Sequence, residues 1–289
     1  MMTIRQGTLR FFSACRPRLL STVALLAASG CTASRLAAPT GRDLRVLVYN
    51  VHAGKDRAGV DNISRVAQMV LDSSADVVLL QEVDSVTERS ARTDQLAEIS
   101  RLTGFHSAFG RTLNYQGGGY GIGVISRFPI VSDSVIRLPV TPGQARAGGS
   151  YEPRGVLHAT ILVEGMRIDV LNTHLDASAD DSYRRQEAAT LVAIARSLMR
   201  GGARVLLGGD LNSTPESAIH AMIETAGVRD AWPACGSGNG FSYPETTPVK
   251  RIDYLLISKS MRCIEARVLN SEVSDHRPVF FRISLPADH

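Results

Sequence analysis

No apolar run in the 289 residues approaches the roughly 20 needed to cross a bilayer as a helix, which excludes an integral multi-span protein. Prolines number only 12 and no low-complexity tract interrupts the chain, which argues against long disorder. Nothing repeats at a fixed period, which argues against a solenoid or propeller. A glycine-rich phosphate loop of the Walker type is missing, and so is a Gly-x-Ser-x-Gly nucleophile elbow. Lysine is scarce, three residues against 29 arginines, a bias that reads as genomic composition rather than as a phosphate-binding adaptation. What remains is an ordinary globular mixture, 44% hydrophobic and 21% charged, long enough for one large domain or two small ones.

The formal net charge of +4 is misleading. Residues 1–30 hold Arg5, Arg10, Arg16 and Arg18 and no acid, and these four account for the whole excess. A neutral body gives no support for loose electrostatic binding to nucleic acid, which needs a basic face.

Those first thirty residues read as an address. The arginines precede an apolar stretch from Leu19 to Ala28, too short to span and suited to a signal-peptide core. It ends in Ala27-Ala28-Ser29-Gly30-Cys31, which resembles a bacterial lipobox; the resemblance implies cleavage before Cys31 and a diacylglycerol on its thiol. An ordinary secretory signal cleaved near Ala28 or Gly30 is the alternative. Thr32, where retained lipoproteins often carry aspartate, points to the periplasmic face of the outer membrane. Thr32–Gly41 reads as a tether. The expected organisation is a signal over 1–30, lipidated Cys31 and tether over 31–42, and one domain over 43–289. After export Cys235 and Cys263 remain, as a disulfide or as two free thiols, and neither has a zinc-ligand spacing.

Along the body, short β-rich runs alternate with amphipathic stretches. Leu44–Tyr49 and Val77–Gln81 read as strands, with helical spacing of Ile63, Val66, Ala67, Val70 and Leu71 between them. Gly121–Ser126, Ile130–Ile136, Val156–Val163 and Arg167–Asn172 read as consecutive strands, the last two joined by a tight turn at Glu164-Gly165. Ser182–Arg200 is the clearest helix, stopped by Gly201-Gly202. Arg204–Leu207, Ile252–Ile257, Cys263–Leu269 and Val279–Leu285 complete the strands. The mixture predicts one α/β domain with two packed sheets, their outer faces covered by helices.

Polar groups recur at the carboxyl ends of these strands: Asn50, Glu82, the Asn172-Thr173-His174 run, and Asp210 with Asn212 after Gly208-Gly209. Asp253 lies inside a strand, and Asp275-His276 precedes the last one. Oxygen donors in such number can hold a hard metal ion, and imidazoles beside carboxylates can move protons.

In this order the segments resemble the endonuclease/exonuclease/phosphatase superfamily. The resemblance rests on Asn50, Gln81-Glu82-Val83, the run from Gly119 to Ile130, Arg154 and Asn172-Thr173-His174-Leu175. It continues through Gly209-Asp210-Leu211-Asn212, Arg251-Ile252-Asp253-Tyr254 and Ser274-Asp275-His276-Arg277-Pro278, and covers about Leu44 to Ile283. It implies a four-layer α/β sandwich of the DNase I-like kind, with two mixed sheets face to face and helices outside. It implies Mg²⁺, with Mn²⁺ as substitute, on Glu82, Asn50 and Asp275. Asp210 corresponds to the carboxylate that orients or deprotonates water, Asn212 to a contact with the phosphoryl oxygen or that water, His174 to a phosphate contact, and His276 to a second histidine paired with Asp253. Arg154 and Asn172 are the expected substrate contacts.

The expectation is a metal-dependent phosphoesterase, a monomer anchored to the cell envelope through Cys31. A lipid or small phosphodiester is favoured, as in the lipid-remodelling branch that includes GPI-anchor processing proteins. A nuclease is the runner-up, and a basic groove of Arg111, Arg127, Arg146, Arg154, Arg184 and Arg185 would favour it. A non-catalytic envelope-binding module on the same fold is the rival from another class.

Overall fold

A computed structural model describes residues 43–143 and 152–286; the signal segment, Cys31, the tether and Arg146 lie outside the described residues. Two six-stranded sheets carry the architecture. The first runs β11 (Arg262–Val268), β12 (Val279–Ser284), β1 (Asp43–Asn50), β2 (Val77–Ser85), β4 (Gly118–Ser126), β3 (His106–Tyr115). The second runs β5 (Ile130–Leu138), β6 (Arg154–Val163), β7 (Met166–His174), β8 (Val205–Asp210), β10 (Asp253–Ser258), β9 (Val228–Asp230). Each sheet has one parallel pair, β1 with β2 and β7 with β8, and the rest is antiparallel.

Both faces of the central strands are apolar because both are covered. In β1, Leu44, Val46 and Val48 point into the layer between the sheets, where they meet Ile161, Ile168 and Val170. Leu47 and Tyr49, on the opposite face, pack under α1 (Ile63–Asp72) and α2 (Gln95–Thr103). The second sheet is covered by α3 (Ser182–Arg200) and α4 (Ala218–Glu224), with Leu191, Ala195 and Ile223 set against Leu171, Leu207 and Leu256. The result is the four-layer sandwich expected from the resemblance.

Several elements escaped the pattern reading. The α2 helix begins where the Asp94 carboxylate caps the Ala97 N–H and stops at left-handed Gly104. Strand β3, short strand β9 and short helix α5 (Trp232–Cys235) were also not anticipated. Glu164 and Gly165, both at positive φ, close the β6–β7 hairpin as the tight turn expected. Cys235 and Cys263 are joined as a disulfide with their Cα atoms 5.7 Å apart, tying α5 to β11.

Candidate active site

The site forms where the ends of both sheets meet. Asn50 is the last residue of β1 and pairs with Gln81 of β2. Beyond Leu80 the β2–β4 register slips by one residue, and Glu82 sits in this bulge at φ +56°, left-handed for a side chain that prefers otherwise. The bulge lets β2 continue to Ser85, so Glu82 lies within the strand rather than at its end. It separates the two neighbours: Gln81 turns inward to the other sheet while Glu82 turns into the cleft.

From the second sheet, His174 ends β7 and Asp210 ends β8, while Asp253 begins β10 directly across the ladder from Asp210. Gly209 takes φ +132°, and a Cβ there would lie 1.9 Å from the Thr173 carbonyl, so only glycine lets Asp210 close this edge. The loop before β12 is pinned by the Ser274 hydroxyl, which donates to the Asn50 carbonyl at 2.8 Å and brings His276 over the same edge. The enclosed cleft holds about 440 Å³ and is lined by Glu82, Asp210, Asp275, His174, His276 and Asn212, among others.

Its electrostatics centre on Asp210. Asn50 Nδ2 donates to Asp210 Oδ2 at 3.2 Å, and the Nε2 atoms of His174 and His276 each lie 3.6 Å from that same oxygen. Burial, then the neighbouring Asp253, raises Asp210 to about 7 despite the counter-effect of His276. His276 Nδ1 is 2.9 Å from Asp253 Oδ2, which also accepts from the Ser242 hydroxyl at 2.5 Å. Burial works against charge on His276, but Asp253, with Asp210 and Asp275, overcomes it and pushes the imidazole up to about 10. His174 behaves oppositely: burial, Arg154 and His276 hold it well below the usual histidine range.

The donor set suits a hard divalent cation. Glu82 Oε1, at 2.9 Å, and Asp210 Oδ2 both accept from one Asn50 NH₂ group, so two carboxylates already converge on one point of the cleft. Asp275 adds a third carboxylate to the cleft. Ligand atoms of Asp210, Asp253 and His276 also lie within 4.8 Å of one another. That trio suits a proton-transfer unit better, because Asp253 is engaged by His276 and Ser242 and an imidazolium has no lone pair to offer a metal.

Nine of the ten expected site residues within the described part of the chain come to this edge. Asn172 does not: it is fully buried, with its oxygen bound by Gln81 Nε2 at 2.7 Å and its NH₂ donating to the Leu80 and Gly123 carbonyls. It is a rivet between the sheets, not a substrate contact. Arg154 lines the cleft but is also engaged, with Glu152 at 2.5 Å and with His174 Nδ1 at 3.0 Å. Trp232 belongs to the core, edge-on to Phe281. The arginines named for a basic groove disperse: Arg127 pairs with Asp76 and Arg185 with Asp181, while Arg184 donates to the Asp176 and Ser178 carbonyls at the cleft wall.

Tyr243, one of two aromatics with Trp232 that the sequence offers as cleft-lining, does line it and lies against His276 with ring centres 4.8 Å apart. Two contributors went unanticipated: Ser242 supports Asp253, and Lys250 lines the far wall. Both lie in the irregular segment between α5 and β10, where no periodicity marks them.

The sequence profile described as the Endonuclease/Exonuclease/phosphatase family matches residues 47–276. The inositol phosphosphingolipids phospholipase C of Schizosaccharomyces pombe is 29% identical over 203 residues, 66% of this chain and 46% of that protein, so the chain spans about half the relative's length. The uncharacterized protein YbhP of Escherichia coli K12 is 27% identical over 254 residues, 83% of this chain and 96% of that protein. Among solved structures, an endonuclease/exonuclease/phosphatase from Beutenbergia cavernae DSM 12333 superposes with a TM-score of 0.69 at 23% identity, covering 85% of this chain and 72% of its own.

Proposed function

Because the chain belongs to the endonuclease/exonuclease/phosphatase family, we propose that it hydrolyses a phosphodiester by in-line attack of water in the cleft around Asp210. The observation that carries this reading is the convergence of Asn50, His174 and His276 on one oxygen of a carboxylate raised to about 7. A carboxylate titrating near neutrality can orient a water and take its proton. His276, held charged by Asp253, faces the oxygens on which negative charge grows. Asn212 and His174 present N–H groups to a non-bridging phosphoryl oxygen. Glu82, Asn50 and Asp275 would hold Mg²⁺ or Mn²⁺, which when bound supplies Lewis-acid neutralisation of phosphoryl charge.

The substrate class we propose is a lipid or small phosphodiester. A cleft of about 440 Å³ matches a head group better than a duplex, and of the described arginines named for a basic groove only Arg154 and Arg184 line it, both held by neighbouring groups. The relative named a phosphosphingolipid phospholipase C supports the same choice. We place the domain on the envelope through Cys31, with residues 1–30 as export signal and 31–42 as tether. The test is hydrolysis by the full chain in detergent, with Mg²⁺ or EDTA, of sphingomyelin, phosphoinositides, bis(p-nitrophenyl) phosphate and plasmid DNA. Mg²⁺-dependent turnover of a lipid or small diester is expected. Fastest turnover of DNA would replace this substrate class with a nuclease, and no turnover of any would favour the non-catalytic envelope module.

A further inference from the structure

The two imidazoles that face Asp210 are backed by opposite partners. His276 Nδ1 meets a carboxylate, Asp253, an acceptor. His174 Nδ1 meets the Arg154 guanidinium at 3.0 Å, a group with donors and no acceptor. An N–H on His174 Nδ1 would point at an N–H of Arg154, inside a site where neither side chain reaches water freely: Arg154 is 3% exposed and His174 5%. The guanidinium cannot be turned to accept and does not lose its proton. Nδ1 must therefore carry the lone pair, and the single ring proton must lie on Nε2.

On the cleft side Nε2 has an acceptor in reach, Asp210 Oδ2 at 3.6 Å, and the neighbouring Asn212 is an uncharged donor rather than a cation. Asn212 Nδ2 lies 3.1 Å from His174 Nε2 and donates to the Leu175 carbonyl at 3.0 Å, which fixes its NH₂ end towards the imidazole. Asn212 Nδ2 and His174 Nε2 then stand as two N–H groups side by side, an arrangement matched by one anionic oxygen set against both. An imidazolium at His174 would instead place like charges 3.0 Å apart against Arg154, and burial, with this repulsion second, lowers the affinity of His174 for a second proton.

We propose that Arg154 is a positioning residue that locks His174 as a neutral Nε2–H donor, so that the two histidines divide the work. His174 binds a non-bridging phosphoryl oxygen without changing protonation, and His276 alone brings imidazolium charge. The tautomer stands on geometry; the role assigned to it rests on the phosphoesterase reading above. Arg154 is thereby set to act through His174, where the sequence pointed to a direct phosphate contact.

The test is a long-range ¹H–¹⁵N correlation spectrum of the ¹⁵N-histidine-labelled full chain in detergent near neutral pH, with His174→Gln to assign the resonance. A lone-pair shift at His174 Nδ1 with an N–H shift at Nε2 is expected; a protonated Nδ1 overturns the proposal. In Arg154→Gln, whose amide can turn its oxygen to the ring, the proton should move towards Nδ1; an unchanged spectrum of the folded variant removes Arg154 from the assignment. Should that variant not fold, the wild-type spectrum still decides the tautomer. In single-turnover assays His174→Gln, whose amide Nε2–H can stand in for the ring Nε2–H, should keep the rate within about tenfold, while His174→Ala loses about a hundredfold or more. A glutamine variant as slow as the alanine one overturns the neutral-donor role. Absence of phosphoesterase activity in the wild type would sink the functional reading and leave the spectrum to judge the tautomer alone.

Discussion

Removing Asp253 should disable His276 almost as thoroughly as removing His276 itself. The two side chains meet at 2.9 Å, and Asp253 and His276 are 2% and 5% exposed, so little solvent screens them. Against the opposing effect of burial, Asp253 and its acidic neighbours raise His276 from 6.5 to about 10, a preference of roughly 5 kcal/mol for the charged imidazole. If half of that preference is expressed where phosphoryl charge develops, its loss slows the chemical step by about a hundredfold. His276→Ala should therefore lower kcat by at least about that factor, with KM little changed, because the interaction strengthens only in the transition state. Asp253→Asn should slow the same step. The double variant should be barely slower than His276→Ala, giving a coupling energy of about 2–3 kcal/mol in a double-mutant cycle. Single-turnover rates under saturating Mg²⁺ measure this, with thermal melts to confirm folding. Additive losses would show that the two residues do not act as a pair, and a near-normal rate for His276→Ala would remove the histidine from the mechanism.

Three further outcomes are expected. Glu82→Gln keeps the shape of the side chain beside Asn50 but removes a charge, so it should raise the Mg²⁺ concentration needed for half-maximal activity about tenfold or more while Tm holds; an unchanged Mg²⁺ titration would discard the ligand assignment. Glu187 lies under the cleft wall, where burial raises it to about 7 despite the Asp176 N–H it accepts. The folded state therefore holds a proton that the unfolded chain loses near 4.5, and stability contributed by this group falls as pH rises from about 4.5 through 7, by up to roughly 3 kcal/mol. Glu187→Gln should flatten that slope in denaturant titrations across this range, and an unaltered slope would contradict the assignment. Cys31→Ser should release the folded protein from the membrane fraction, since acyl chains contribute about 0.8 kcal/mol per buried CH₂; a variant that still pellets with membranes would refute lipidation there.

The parts of this molecule that were legible in its sequence are those decided locally. The helix over Ser182–Arg200 and the strands around Val46 and Val205 follow from apolar periodicity and turn residues that act over a few positions. Strand β3 was not legible: seven of its ten residues are half-buried or exposed, and the three buried ones are Ala108, Gly110 and Thr112, too small or polar to mark an apolar face. The α2 helix spans nine residues, and its clearest signals are its capping residues rather than its hydrophobic face. In the site, Glu82, Asp210 and His276 stood out because their neighbours are characteristic. What each side chain touches did not, because that depends on registers set across the sandwich. Asn172 could not be told from a substrate ligand until Gln81, 91 positions away in sequence, was seen to meet it. The sequence suggests that Arg154 reaches for phosphate, and only the β6–β7 pairing, which brings it beside His174, gives it another partner.

In the proposed reaction Asp210 prepares the attacking water, and Asp210→Asn tests that role most directly. Asparagine retains the volume and one acceptor for the Asn212 N–H, which lies 2.9 Å from Asp210 Oδ1, so the loop after β8 should hold. Single-turnover hydrolysis of bis(p-nitrophenyl) phosphate by the full chain should proceed in Mg²⁺ and cease in EDTA. In the folded Asp210→Asn variant it should fall by about a thousandfold, as expected when general-base and charge effects are lost together. A rate within tenfold of wild type would contradict the assignment of this cleft's chemistry to Asp210.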